Sequence, residues 1–271
     1  MTRHVVVGVD GSGPAMAAVE WAAADAGRRG LELRVVHVCE QWPYGGAGTP
    51  CCAEALETAA ARARELAPGI EVATRRLPGN AVEALIGESA SADSVVLGSR
   101  GLGGFAGMVL GSVGLAVAGH AAGPVVIVRG PSAVRHGRVV VGHDGSGHAE
   151  AAMGYGVEQA RARRVPLLVV HVPWTPAFSR YGYSPQQDVR EAAERLEPWR
   201  ARHPDVDIVD VRQAGHPVAV LAAAGAAADL LVVGSRGLGG FASAVLGSVS
   251  HGVLHHATCP VAVVRPRTGG A

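Results

Sequence analysis

The sequence predicts an α/β protein of two tandem doubly wound domains, and three observations carry that expectation. The chain repeats itself: VVVGVDGSG at Val5–Gly13 returns as VVVGHDGSG at Val139–Gly147. Short β-branched runs alternate with Ala-rich stretches of helical length, the rhythm of successive βα units. Runs such as VVVGV and SVVLG are apolar at every position, as expected of parallel strands with helices over both faces.

In the first copy the strands are expected at His4–Val9, Leu33–Val38, Glu71–Arg75, Ser94–Gly98 and Val125–Arg129. Helical stretches lie between them, at about Gly13–Arg29, Cys51–Ala67, Ala81–Ala90 and Ser112–Ala121. The second copy repeats the strands at Arg138–Gly142, Leu167–Val172, Asp207–Val211, Leu230–Gly234 and Val261–Arg265. The two copies are offset by 134 residues at the first strand, and again where LRVVHV ends at Val38 and LLVVHV at Val172. From Gly79 and Gly215 onward the offset is 136, so a two-residue adjustment falls in between. The domains are bounded at residues 1–131 and 136–267, joined near Gly130-Pro131-Ser132, where Gly and Pro break the pattern. The last strand of each copy, VVIVRG and VAVVRP, is a sheet edge that needs cover.

Composition narrows the function. Of the 271 residues 48% are hydrophobic but only 4% aromatic, so Ala, Val and Leu must build the core. A formal net charge of +1 lacks the basic excess of a general nucleic-acid binder. All 24 basic residues are Arg, which removes Schiff-base and P-loop lysine chemistry. The opening MTRHVVVGVD has no signal-peptide character, and no run of 18 apolar residues occurs to span a membrane. Cys39, Cys51, Cys52 and Cys259 do not form a metal-type pair of pairs, and reduced thiols in a cytoplasmic chain are the expectation.

The chemistry gathers in a glycine loop that occurs twice. LGSRGLGGFAGMVLGSV from Leu97 and VGSRGLGGFASAVLGSV from Val233 agree at 14 of 17 positions. Each copy follows the fourth strand, while Asp10-Gly11-Ser12 and Asp144-Gly145-Ser146 follow the first. Ligands of open α/β sheets sit at such carboxyl ends, where the strand order reverses. The spacing is G-x2-G-x9-G-S: Gly98, Gly101, Gly111-Ser112, and Gly234, Gly237, Gly247-Ser248. Glycines let a backbone approach an anion closely. The Gly-Ser pair then opens a helix whose N–H groups and dipole favour phosphate oxygens. Two anion-binding devices nine residues apart suit a chain of phosphates. The competing reading is a plain connector between strand and helix. No GK[ST] occurs, and GVDGSGPA after the first strand is not a GxGxxG fingerprint, so the two commonest phosphate loops are absent.

The motif G-x2-G-x9-G-[ST], an early strand ending in Asp, and five strands per copy resemble the universal stress protein family in its tandem two-domain form, over nearly the whole chain. The resemblance implies a strand order of 3-2-1-4-5 in each domain and, for members carrying the motif, ATP with its Mg2+. It implies that Asp10 lies near the ribose or the divalent ion, and that Val38 offers its backbone to the adenine. Gly98, Gly101, Gly111 and Ser112 would hold the phosphates. The matching positions of the second copy are Asp144, Val172, Gly234, Gly237, Gly247 and Ser248. The family often carries a further hydroxyl two places on; Ser250 supplies it in the second copy, whereas Gly114 stands in the first. Pairing of the two domains through their last strands is implied too, and a homodimer of whole chains is compatible with it.

Other residues have plainer readings. Arg100 and Arg236 lie inside the motif, where they either meet phosphate or pair with a surface carboxylate. His251 and His255 are one helical turn apart, a metal-compatible spacing without an evident third ligand, and His256 and His120 add none. His37 and His171 recur in the VVHV strands and read as hydrogen-bonded structural histidines. The segments Gln41–Pro50 and Pro173–Pro185 are the longest loops, able either to cover a ligand or to stay mobile. Between Gly98 and Ser112 there is no Asp, Glu or His, so no catalytic residue is assigned and at most slow hydrolysis is expected. The expectation is a nucleotide-dependent stress sensor or regulator with one ATP per domain. Its rivals are a weak ATPase or nucleotidyl-transfer enzyme, and a stress-induced scaffold that binds little nucleotide.

Overall fold

A computed structural model of the chain describes residues 3–39, 50–102, 110–130, 135–173, 185–238 and 245–267. It divides into two compact units, Met1–Val134 with Pro260–Ala271, and Arg135–Cys259. The first unit contains β1 (His4–Gly8), α1 (Gly13–Arg29), β2 (Glu32–Cys39), α2 (Pro50–Leu66) and β3 (Val72–Pro78). It continues with α3 (Ala81–Ser89), β4 (Ser94–Gly98), α4 (Ser112–His120) and β5 (Val125–Val128). Its parallel strands run in the order β3-β2-β1-β4-β5, the doubly wound arrangement in which the chain reverses direction between β1 and β4.

The second unit holds β6 (Val139–Gly142), α5 (Gly147–Arg163), β7 (Leu167–His171), α6 (Pro185–Arg202), β8 (Ile208–Arg212), α7 (Pro217–Ala226), β9 (Leu230–Gly234) and α8 (Ser248–His256). Its parallel order β8-β7-β6-β9 repeats the first four strands of the other unit. The last strand, β10 (Val261–Val264), belongs to the first unit by its contacts. There it pairs antiparallel with β5, Val261 opposite Ile127 and Val263 opposite Val125. Arg267 fastens the segment that follows by donating to the carbonyls of Ala92 and Asp93 at 2.5 and 3.2 Å, and Arg265 donates to that of Gly119.

The central strands are apolar throughout because both of their faces are buried. Val5, Val6, Val7, Val95 and Val96 have no exposed surface, and neither do Val139, Val140 and Val141. Helix α1 buries mostly small residues, Ala15, Ala18, Ala22 and Ala26 among them, together with Val19 and Trp21. Ser12 caps α1 by accepting from the Ala15 N–H at 3.2 Å, and Gly30 ends it in the left-handed conformation. Ser146 caps α5 in the same way, but its left-handed terminal residue is Arg164, φ +55.

Strand β3 runs to Pro78, beyond the Glu71–Arg75 expected from the sequence. All seven of its residues pair with β2, from Leu33↔Val72 to Cys39↔Pro78. It is an edge strand with Thr74, Arg75 and Arg76 exposed, so hydrogen bonding and not burial defines its end.

Candidate functional site

At the carboxyl end of β1 the chain turns through Asp10-Gly11-Ser12 into α1. The Asp10 carboxylate occupies both of its oxygens there. Oδ1 accepts from the Ser12 N–H at 2.9 Å, an Asx-type turn. Oδ2 accepts from the Leu102 N–H at 2.9 Å, 92 residues further along the chain. One side chain thus joins the β1–α1 turn to the loop leaving β4, across the point where the sheet reverses. The second unit repeats the clasp: Asp144 accepts from Ser146 N–H at 3.0 Å and from Leu238 N–H at 3.0 Å. Both bonds have an ionised acceptor, the stronger class of hydrogen bond.

This geometry separates the motif glycines by cause. A methyl on Gly98 would lie 2.6 Å from the Pro14 carbonyl carbon and oxygen, and one on Gly234 would lie 2.8 Å from the carbonyl carbon of His148. Those two glycines are therefore required where β4 and β9 pass beneath the first turns of α1 and α5. A methyl on Gly101 or Gly237 would stand 2.4 Å from Oδ2 of Asp10 or Asp144, so these glycines make room for the clasp. Gly111 is different. Its nearest neighbour, the Cα of Arg100, would be 3.6 Å from an added methyl, an ordinary contact, and its φ of −76° suits any residue. Gly247 is somewhat tighter, with Arg236 Cα at 3.2 Å and φ −70°.

Gly111 is also the N-cap of α4, and no side chain caps that helix. Its own N–H donates to the Ser99 carbonyl at 2.8 Å, and the first intrahelical acceptance is from Leu115. The first-turn N–H groups of Ser112, Val113 and Gly114 are thus directed out of the helix end. Gly247 and α8 repeat this, with Gly247 N–H on the Ser235 carbonyl at 2.8 Å. Ser112 and Ser248 open their helices with exposed side chains. Ser250 is turned inward: it is 2% exposed, and its hydroxyl lies 3.0 Å from the carbonyl oxygens of both Ser235 and Gly247. It holds the exit of β9 against α8. In the first unit Gly114 fills the corresponding place, where a methyl would come 3.2 Å from Ile127 Cδ1.

Val38 is half-buried at the end of β2, and the register Gly8↔Val36 sets it level with Asp10. Val172, also half-buried, follows β7, where Gly142↔Val170 sets it level with Asp144. One residue before Val38, the buried His37 fixes the wall: its Nδ1 is 2.8 Å from the Val9 carbonyl, which can only accept, so that nitrogen carries the proton. His171 binds the His143 carbonyl likewise at 2.9 Å. The structure thus assembles Asp10, Gly98, Gly101 and Gly111 by direct contact and brings Val38 alongside.

His143 is a feature that motif reading missed. Its Nε2 lies 3.0 Å from Glu150 Oε1, and the Trp199 indole N–H donates to Glu150 Oε2 at 3.0 Å. Burial holds the imidazole below its ordinary pKa, opposed by the hydrogen bond that Glu150 accepts from it. The signal was present in the VVVGHD of the second copy against VVVGVD of the first, but its partners lie up to 56 residues away. Neither Arg100 nor Arg236 forms an ion pair among the described residues. His251 and His255 lie side by side with ring centroids 4.7 Å apart and their planes tilted by 44°. Among the described residues no group of three or more His, Cys, Asp or Glu side chains stands ready for a metal. The middle of each glycine loop, residues 103–109 and 239–244, and most of the loops at Gln41–Pro50 and Pro173–Pro185 lie outside the described residues.

No helix among the described residues is long and apolar enough to cross a membrane. The sequence profile of the universal stress protein family matches residues 1–129 and 136–265. A universal stress protein of Mycolicibacterium smegmatis is 34% identical, with 97% of each chain covered. One of Mycobacterium tuberculosis is 36% identical, with 96% of each covered. Among solved structures, a universal stress protein from Archaeoglobus fulgidus superimposes with a TM-score of 0.73 at 23% identity, covering 98% of this chain and 97% of that one.

Proposed function

The chain belongs to the universal stress protein family, and on that footing we propose that each domain holds one ATP with its Mg2+ and that the protein acts in the cytoplasm as a nucleotide-dependent stress sensor or regulator. One observation carries the reading. Gly111 caps an otherwise uncapped helix, and no packing contact forbids a side chain there. A glycine that the protein's own packing does not demand, at an open helix N-terminus, fits the close approach of an anion.

The phosphates would meet the first-turn N–H groups of α4 and the Ser112 hydroxyl, with Ser248 and α8 in the second domain. Gly98, Gly101, Gly234 and Gly237 shape that cradle by letting strand, helix and clasp close together. Ser250 supports the cradle from beneath. Asp10 and Asp144 each keep unused lone pairs beyond the two N–H groups they accept, enough to meet a ribose hydroxyl or one face of a Mg2+ whose other ligands are phosphate oxygens and water. The backbone at Val38 and Val172 is level with those carboxylates and is assigned to the adenine edge.

The test is to denature freshly purified protein in acid and identify what it releases, then to titrate the stripped protein with Mg-ATP while following thermal unfolding. Adenine nucleotide in the extract and a rising midpoint are expected. No nucleotide and no shift would overturn the reading. A single-turnover rate well above background would favour the enzymatic rival.

A further inference from the structure

The two sites differ, and the first difference lies outside the repeated loop. Gly11 and Gly145 occupy the same turn with φ of +87° and +83°. Above Gly11 the neighbour is apolar, since the Ala55 methyl would be 3.5 Å from an added Cβ. Above Gly145 stands a cation: Nη1 and Cζ of Arg195 would be 2.6 and 3.2 Å from it. A guanidinium therefore rests on the turn between Asp144 and Ser146, where the first domain offers a methyl group.

Arg195 reaches that place from α6, and the second domain has a device that holds the helix there. One helical turn on, Trp199 is buried, and its N–H is anchored to Glu150 of α5. Glu150 is tied in turn to His143, the residue before Asp144. Val9 and Met16 hold the positions of His143 and Glu150 in the first copy, so the first domain has no such chain. A second cation differs as well. Arg236, inside the glycine motif, is half-buried, and its Nε is shielded from water with no acceptor among the described residues. Its counterpart Arg100 is exposed. A desolvated guanidinium donor without an acceptor is unfavourable until an anion meets it.

We propose that the second-domain site is the tighter of the two for a polyphosphate-bearing ligand, because Arg195 supplies a cation where the first domain has the Ala55 methyl, and Arg236 holds a half-buried donor where Arg100 is exposed to water. At limiting ligand the second domain fills first, and its preference for three phosphates over one is the steeper. The proposal rests on the nucleotide reading above, and the test separates the two.

The full chain, stripped of ligand, is titrated calorimetrically with ATP, with AMP and with inorganic tripolyphosphate, using wild type, Arg195→Ala, Arg195→Lys and Arg236→Ala. Arg195 is exposed on a helix, and unchanged unfolding midpoints establish that its variants are folded. Wild type is expected to show two ATP affinities at least about ten-fold apart, the factor that one strong charged contact gives. Arg195→Ala should weaken only the tighter one by about that factor, with partial recovery in Arg195→Lys. The ATP-to-AMP affinity ratio should fall in both Ala variants. If ATP binds with equal affinities, or the split survives Arg195→Ala, the cationic arm is refuted while the nucleotide reading stands. If tripolyphosphate binds in an Arg195-dependent manner and ATP does not bind, the arm stands and the nucleotide reading falls. Binding of neither overturns both.

Discussion

Gly101 and Gly111 belong to one motif, yet alanine at the two positions should produce opposite phenotypes. At Gly101 the added methyl would lie 2.4 Å from Asp10 Oδ2, well inside contact distance, and must displace the carboxylate or the Leu102 N–H bound to it. Losing a hydrogen bond to a charged acceptor costs about 1.5–3 kcal/mol, so ~2 kcal/mol is the expected destabilisation of the first unit. For a unit of this size that lowers its unfolding midpoint by about 4–8 °C. At Gly111 the methyl meets nothing nearer than 3.6 Å and needs no change of φ. Its stability cost is that of a poorer N-cap, a few tenths to about 1 kcal/mol. It would, however, stand where phosphate is proposed to approach α4, and first-domain affinity should fall about ten-fold or more, a loss of at least ~1.4 kcal/mol. Calorimetric unfolding and ATP titration of both variants resolve the pattern. Should Gly111→Ala unfold as early as Gly101→Ala, or bind ATP as tightly as wild type, the division of the glycines by cause is wrong.

Ser250→Ala removes a buried hydroxyl that bonds two carbonyls. It should cost about 1 kcal/mol in stability and change second-domain ATP affinity by less than about two-fold; a larger loss of affinity would show the hydroxyl reaching the ligand. His143 adds a pH dependence. Burial depresses its native pKa, so between that value and the ordinary one of about 6.5 the unfolded chain binds more protons than the native one. Stability of the second unit should therefore rise with pH through that window and be lost on acidification below about pH 6.5. His143→Val, the residue type of the first copy, should flatten the slope in denaturant titrations at pH 5 to 7.5. Parallel curves for the two proteins would show that another group carries the effect.

Strand positions and the duplication were legible because both are written in local pattern: VVVGV and SVVLG have no polar face to hide, and the offset of 134 is arithmetic. Edge strand β3 was read short because TRRLP has pairing without burial. The glycine loop was legible as a place and not as a mechanism. From spacing alone Gly98, Gly101 and Gly111 look equivalent, whereas two of them answer to neighbours elsewhere in the chain, Pro14 and Asp10, that only folding reveals. Arg195 carried no signal at all. It belongs to no motif, lies outside the duplicated glycine loop, and gains its position through Trp199 and Glu150, each placed by tertiary packing.

The Asp10 clasp has a consequence for how this cleft can vary. One carboxylate closes two crossovers that are 92 residues apart, so neither wall of the cleft can drift independently of the other. A longer acid at position 10 overshoots the Leu102 amide, and any β-carbon at 101 displaces the acid already there. The pair is a lock and its keyway, to be changed together or left alone. Mutations at the two positions should then combine non-additively in a double-mutant cycle. Duplication has set the same lock twice, at Asp144 and Gly237, so the two domains can diverge around their clefts, as Arg195 and Ala55 do, while the clasp itself is kept.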